Sequence, residues 1–394
     1  MLPTFQQFGR GAASLLVVGI LGSACGLGST TTQAPGNGGD LTYGAIVGLS
    51  GAFGPYGPAY QAGMEVAADR VNSGSGLVVA NKKYKLKMMF TDDRSDAQVA
   101  VTQALSMIND DKINVIVGPL ATEATSATPV IAQHNAINLS LAAGLFGLLG
   151  PKYPLLFSGL PSNAYRVGAM AAAVKQLYPN AKKVAFLTGK DDGVMATMAP
   201  ALNAAGISTG DFTYPAGTTD ISTVATKVVA FQPDVIVVGN SPSEETSDVQ
   251  QLDAAGLPKS VTCVCYSTEL PSTVGHPQLF PSAYSPVDAG VQSTPEITAF
   301  KAALKTKLGK DPSAFDTSIA LAYYFVVQLT AKAMEQAGTT TDVNKIALAM
   351  TQVSLTEFGA KFQWDSGHNI TVPLAMTQIS ATGQANVIQV APTS

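Results

Sequence analysis

Charge is what this sequence has least of. Only 13% of its 394 residues are Asp, Glu, Lys or Arg, about half the usual quarter. The 23 basic residues face 27 acidic ones for a net charge of −4, which argues against a nucleic-acid binder, since phosphate contacts need clustered Lys and Arg. Histidine is equally scarce, and His134, His276 and His368 are too dispersed for a local zinc motif. Beyond residue 40 no apolar run reaches the roughly 18 residues of a membrane span. The best, Ile319 to Val327, holds two tyrosines and is followed by Gln328 and Lys332; it reads as a buried globular helix. What is present is apolar material, 46% of the chain, with 37 glycines and 23 prolines. The length suits two or three domains.

The N-terminus carries an address. Arg10 precedes Gly11 to Ala24, an uncharged and mostly apolar stretch of the length of a secretory signal core. It runs into Leu21-Gly22-Ser23-Ala24-Cys25. Small residues before a cysteine resemble a bacterial lipoprotein signal, with Cys25 as the first mature residue and the lipid anchor. Residues 1–24 are then the signal and 25–40 a flexible tether, because Gly/Ser/Thr/Pro composition buries too little to order itself. An uncleaved anchor or a plain signal peptide is the alternative. Cys263 and Cys265 remain. Two residues apart on a strand, they point the same way and close only with strain, so they read as small buried hydrophobes.

From Tyr43 the chain alternates β-rich and helical runs. Strands are predicted at 43–49, 84–92, 113–117 and 137–141, with helices from Pro58, at 97–108 and at 122–134. The pattern restarts with strands at 183–188, 207–214, 234–238 and 260–266, and helices at 193–205, 221–231 and 243–255. Such alternation implies parallel βαβ units whose central strands are covered on both faces and carry few charges. One turn occurs in both halves. Gly118, three spacers, then Thr122-Glu123-Ala124-Thr125-Ser126 matches Gly239, three spacers, then Ser243-Glu244-Glu245-Thr246-Ser247. The hydroxyl can cap the helix and the Glu suits the positive end of its dipole. Two similar doubly wound parallel-sheet domains are expected.

The opening strand with Ser50-Gly51 and Pro55-Tyr56-Gly57, the helix with Gly63-Met64, Asp92 after the second strand, Val117-Gly118-Pro119, and Asp311-Pro312-Ser313-Ala314-Phe315 before a late helix together resemble the type I periplasmic binding proteins. The sequence is most similar to their branched-chain amino-acid binding branch, which serves ABC transporters. The resemblance implies an α/β fold of two doubly wound lobes, a Venus-flytrap, joined by a three-strand hinge. The N-terminal lobe would span 41–158 plus 288–366, and the C-terminal lobe 159–287 plus 367–394. The ligand would lie between them, at the carboxyl ends of the strands, where open parallel sheets bind ligands.

The resemblance also nominates residues. In the N-lobe these are Ser50, Tyr56, the Leu120-Ala121-Thr122 turn, and Ala142-Ala143-Gly144 after the fourth strand; in the C-lobe, Asp192, Asn240 and Tyr266. Thr122 opens a helix, whose free N–H groups receive a carboxylate or another acceptor, or it serves as a cap alone. Tyr56 stacks on the ligand or packs its own loop. Asp192 supplies a countercharge or is a solvated helix-end carboxylate. Gly144 stands where relatives place a threonine, and Tyr266 or Ser267 where amino-acid binders place an acid. A charge-poor cleft of hydroxyls, helix ends and apolar contacts is the expectation.

Enzyme signals are thin. Gly206-Ile207-Ser208-Thr209-Gly210 matches G-x-S-x-G, but a nucleophile elbow follows a strand and precedes a helix, the reverse of this context. No phosphate-binding G-x-x-x-x-G-K-[ST] loop is present. The expected protein is therefore a non-enzymatic, cofactor-free and metal-free receptor in the bacterial cell envelope. It touches the membrane only through its lipid, binds no nucleic acid, and passes a small amino-acid-like, amide or apolar carboxylate ligand to an ABC permease. An extracytoplasmic sensor with a membrane signalling partner is the alternative.

Overall fold

The computed structural model describes residues 35–390 apart from 75, 121–122, 141–146, 190–194, 216–217, 240–241, 266–269, 271–273, 282–293 and 372–373. Its first sheet is built from β1 (Gly36–Val47), β2 (Leu77–Val79), β3 (Lys82–Asp92), β4 (Val115–Val117), β5 (Ile137–Ser140) and β6 (Leu156–Ser158), in the order β2-β3-β1-β4-β5-β6. All neighbours run parallel except β2 against β3. The crossovers are α1 (Gly57–Asn72), α2 (Ala97–Asn109) and α3 (Glu123–Gln133), since parallel strands need a covering connection.

β1 corrects the tether. It includes residues 36–40, which composition assigns to a flexible segment, and pairs from Gly36 opposite Lys82 to Val47 opposite Asp92. Main-chain pairing asks little of the side chains: the Gly36 N–H donates to the Asn81 carbonyl at 2.9 Å. Asp40 and Lys87 then form an ion pair across the strands.

After β6 the chain enters α4 (Asn163–Leu177) and a second sheet made of β7 (Lys183–Gly189), β8 (Ser208–Tyr214), β9 (Val235–Gly239), β10 (Thr262–Cys265) and β11 (Gln278–Pro281). Between them lie α5 (Ala199–Ala204), α6 (Ser222–Phe231) and α7 (Pro242–Ala254). The helix expected over 193–205 is instead a 3-10 turn at Met195–Met198 followed by the six residues of α5. Pro200 sits in the first turn of α5, where its fixed φ suits a helix start and its missing N–H costs nothing.

The chain next returns to the first sheet. α8 (Pro295–Leu308), α9 (Ala314–Ala337), α10 (Val343–Met350) and a small antiparallel sheet of β12 (Ser354–Glu357), β13 (Ala360–Trp364) and β14 (Ile370–Thr371) follow. Their buried residues join Tyr43, Val115 and Phe157 in one core. α9 lies against α1 so closely that a Cβ on Gly63 would sit 2.2 Å from the Ala320 carbonyl oxygen. Ile319 to Val327 are all buried in α9, as expected of a globular core helix. Among the described residues no helix is long and apolar enough to cross a membrane. Finally β15 (Leu374–Ile379) and β16 (Ala385–Val390) add an antiparallel hairpin to β11, giving β16-β15-β11-β10-β9-β7-β8.

Cys263 and Cys265 are free and buried, and both face the cluster that contains Leu252, Val261 and Phe280. Burial pushes the Cys263 thiol up to about 12, which keeps it an inert hydrophobe. Beside it His276, fully buried, bridges Asp253 Oδ1 (2.8 Å) and the Val261 carbonyl (2.9 Å). Both ring nitrogens thus have an oxygen partner within hydrogen-bond distance. Asp253 also receives Lys259. Burial opposes its ionisation, but the bonds from Lys259 and His276 outweigh that and hold the carboxyl below its usual range. Asp253→Asn should therefore lower stability by about 2 to 4 kcal/mol, because His276 loses its charged partner in an apolar wall. Urea unfolding at pH 7 would measure it; an unshifted midpoint would show that the latch contributes nothing.

Candidate ligand site at the strand ends

β1, β3, β4 and β5 of the first sheet end together, as do β7 to β10 of the second. At the end of β3 the Asp92 carboxylate organises the loop after β1. Its Oδ1 accepts from the N–H groups of Leu49 (2.9 Å), Ser50 (3.1 Å) and Arg94 (2.9 Å), and its Oδ2 accepts from Ser50 Oγ at 2.6 Å. Desolvation works against this carboxylate, yet the four donors prevail and lower its proton affinity. Ser50 is exposed. Its hydroxyl proton is committed to Asp92, so towards a ligand it offers lone pairs rather than a donor.

The turn from β4 into α3 is held from beneath by β5. Asn138 Nδ2 donates to the Gly118 carbonyl at 2.6 Å and Ser140 Oγ to the Pro119 carbonyl at 3.1 Å, while Thr128 Oγ1 donates to Asn138 Oδ1 at 3.0 Å. All three side chains are buried. Leu120 and Tyr56 are half-buried and pack on the edge of the same apolar core, so the packing reading of Tyr56 has direct support. Ala121, Thr122, Ala142, Ala143, Gly144, Asp192, Asn240, Tyr266 and Cys25 lie outside the described residues. The structure therefore brings Ser50, Tyr56 and Leu120 to the same end of the first sheet.

The strand ends are less charge-poor than the composition suggests. Asp93 and Glu123 are buried in the first lobe, and Arg166, Glu245 and Asp248 in the second. Asp248 Oδ2 accepts a 2.6 Å bond from Tyr214 at the end of β8; burial first, then this neighbouring carboxylate, drives the tyrosine hydroxyl's proton affinity up. The sequence shows Glu123 and Glu245 in the repeated turn, but the burial of these five residues cannot be read there, because charged side chains ordinarily face water. The repeated turn is also asymmetric. Glu123 is buried, whereas its counterpart Glu244 is half-buried and the next residue, Glu245, is buried instead.

A groove of about 1320 Å³ lies elsewhere. It is lined by Ala181, Asp234, Val261 and Pro277, which immediately precede or open β7, β9, β10 and β11. Those are the amino ends of the strands, away from the edge where parallel sheets bind ligands.

Solved structures share this fold. LivJ, the branched-chain amino acid transporter substrate binding protein of Streptococcus pneumoniae, solved with isoleucine, superimposes with a TM-score of 0.69 over 89% of this chain and 99% of its own at 21% identity. A solute binding protein of an ABC transporter from Rhodopseudomonas palustris BisB5, solved with 3,4-dihydroxy benzoic acid, gives 0.67 over 90% and 98% at 18% identity. A branched chain amino acid ABC transporter periplasmic ligand-binding protein from Burkholderia xenovorans LB400 gives 0.74 over 89% and 96% at 15% identity. Residues 41–384 match the periplasmic binding protein family. With two parallel-sheet lobes, and with that match across most of its length, this chain belongs to the periplasmic binding protein family, whose members bind solutes rather than transform them.

Proposed function

We propose that this chain is the substrate-binding protein of an ABC importer, anchored in the cell envelope by a lipid on Cys25, and that it captures a small amino-acid-like, amide or carboxylate ligand for a membrane permease. The observation that carries the reading is the β4–α3 turn, whose carbonyls are tied down by Asn138 and Ser140. Fixing that turn fixes the direction in which the first N–H groups of α3 point, and a helix N-terminus favours acceptor-rich groups. The ligands named for the Streptococcus and Rhodopseudomonas proteins, isoleucine and 3,4-dihydroxy benzoic acid, both carry a carboxyl group. The lobes are taken as 41–158 with 288–366 and 159–287 with 367–394. The chain passes between the two sheets three times, which suits a hinge. Ligand groups come from Ser50, Tyr56, Leu120, Ala121, Thr122, Ala142, Ala143 and Gly144 on one side and Asp192, Asn240 and Tyr266 on the other. Contacts from both sides are required, because a ligand shifts the open–closed balance only by its differential affinity.

Mass spectrometry of the co-purifying ligand, followed by a thermal-shift panel, identifies it; at 100 times its Kd a ligand adds about 2.7 kcal/mol of stability. Thr122→Ala should then weaken binding about tenfold or more, the worth of a hydrogen bond to a charged group. Calorimetry returning the wild-type affinity would remove Thr122 from the site. Cells lacking the chain should lose uptake of that ligand. Retained uptake with a lost transcriptional response would instead indicate a sensor.

A further inference from the structure

Basic residues are scarce in this chain, and they are not spread evenly. Four of its 23 lysines and arginines, Lys82, Lys83, Lys85 and Lys87, stand within six consecutive positions at the start of β3. All four are exposed. Side chains alternate along a strand, so Lys83, Lys85 and Lys87 rise from one face of the sheet. Asp40 on the neighbouring β1 pairs with Lys87. Among the described residues Lys82, Lys83 and Lys85 have no acidic partner.

The backbone register puts this strip on an extension of the first sheet. β1 and β3 pair from Gly36 opposite Lys82, but β4 joins β1 only at Gly44, opposite Ile116. Ahead of that point the layer consists of β1, β3 and the short β2, which flanks β3 from Lys82 to Tyr84. Apart from the lysines, Asp40 is the one charged residue in 36–43 and 77–87. A chain of net charge −4 therefore carries a basic patch at the amino end of this sheet. The patch also lies where the chain arrives from its proposed anchor. Gly36 opposes Lys82, and Cys25 stands about eleven residues earlier, a stretch that no chain conformation extends beyond about 40 Å.

We propose that the Lys82–Lys87 strip is a membrane-contact surface that binds anionic phospholipid headgroups and sets how the receptor rests on its membrane; the proposal rests on the reading of Cys25 as a lipid anchor. An acyl anchor limits how far the protein strays but leaves its orientation open, and a basic patch beside a lipid chain supplies the second attachment. Lysines near an anionic surface are attracted only within about a Debye length, roughly 8 Å at physiological salt. The short span back to Cys25 keeps the strip in reach of that layer. The carboxyl ends of β1, β3, β4 and β5 lie at the opposite edge of the same sheet. With the lysines on the membrane, the proposed ligand edge of this lobe faces the medium.

The test sediments the full chain, as cells process it, with vesicles of phosphatidylcholine alone and of phosphatidylcholine with about 30% phosphatidylglycerol. Binding to the neutral vesicles reports the acyl anchor, and the excess on the anionic ones reports the lysines, so the two readings fail separately. A chain without the anchor shows no neutral binding, and its binding to the anionic vesicles still decides. Overall charge cannot produce the excess, because a net −4 is repelled by an anionic surface. Lys83→Gln and Lys85→Gln should each cut the excess about fivefold, and adding Lys82→Gln to both should remove it. Raising NaCl to about 1 M, where the Debye length is about 3 Å, should abolish it for the wild-type chain without any substitution. Equal partition of the wild-type chain onto both vesicles would overturn the proposal. So would an excess that survives the triple variant; loss of uptake in that variant would then assign the strip to an acidic protein partner.

Discussion

Gly118→Ala should cost about 3 to 5 kcal/mol of stability and, with it, ligand capture. Gly118 has φ +90°, a region that L residues enter at a cost of about 1 to 2 kcal/mol. A Cβ there would also stand 2.2 Å from the Ile46 carbonyl oxygen. That oxygen belongs to β1 in the middle of the sheet, so it cannot swing aside as a flexible side chain would. Relief must come from moving the turn, which breaks the 2.8 Å bond from the Gly118 N–H to the Leu139 carbonyl and displaces the carbonyl held by Asn138. Overpacking of this kind adds about 1 to 3 kcal/mol. Denaturant unfolding measures the sum. A wild-type midpoint would mean that the sheet absorbs a methyl group at no cost, contrary to the close-packed geometry.

Trp364→Ala should cost as much by the opposite route. Trp364 is the single tryptophan and is 1% exposed. Its ring meets Phe157 edge-on at 5.3 Å and its Nε1–H donates to the Ser158 carbonyl at 2.8 Å. Ser158 ends β6, the last strand before the chain leaves for the second sheet. Removing the ring leaves a cavity worth about 3 to 5 kcal/mol and an unsatisfied carbonyl at the departure point. Trp364→Phe separates the two effects: it keeps most of the packing and loses the bond, for about 1 to 2 kcal/mol. Far-UV circular dichroism is the readout, since the variants lack the fluorophore. Equal losses for both variants would refute the cavity argument.

Much of the architecture was readable because it is written locally. Val235 to Gly239 and Val115 to Val117 are uncharged β-branched runs because both faces are covered. Helix ends at Asp96, Thr294 and Ser313 are marked by residues whose side chains accept from the first turn. The last of these completes a reciprocal capping box with Asp316. The β12–β14 sheet and the β15–β16 hairpin were not anticipated. Their strands are two to six residues long, too short for a period to register, and they depend on partners far away in sequence. The same limit explains 36–40. Its glycine-rich composition reads as a tether, yet the neighbouring β3 backbone supplies the pairing that composition could not reveal.

The candidate site divides in the same way. The Gly118 and Gly239 turns, Ser50, Asp92 and Thr122 stand out in the sequence because a turn leaves its residue types in a row. That Asp92 holds the Ser50 loop, that Asn138 and Ser140 support the β4–α3 turn, and that Asp93 and Glu123 are buried could not be read there. The first two join residues 20 to 43 positions apart. By itself the sequence determined the fold class through its alternating β-rich and helical runs, and the scarcity of charge accords with it, since doubly covered parallel strands tolerate few ionised groups. Only the tertiary structure decided where the remaining charges went. Burial changes a carboxyl's protonation energy according to its surroundings in space, and those surroundings here are assembled from separate strands and helices.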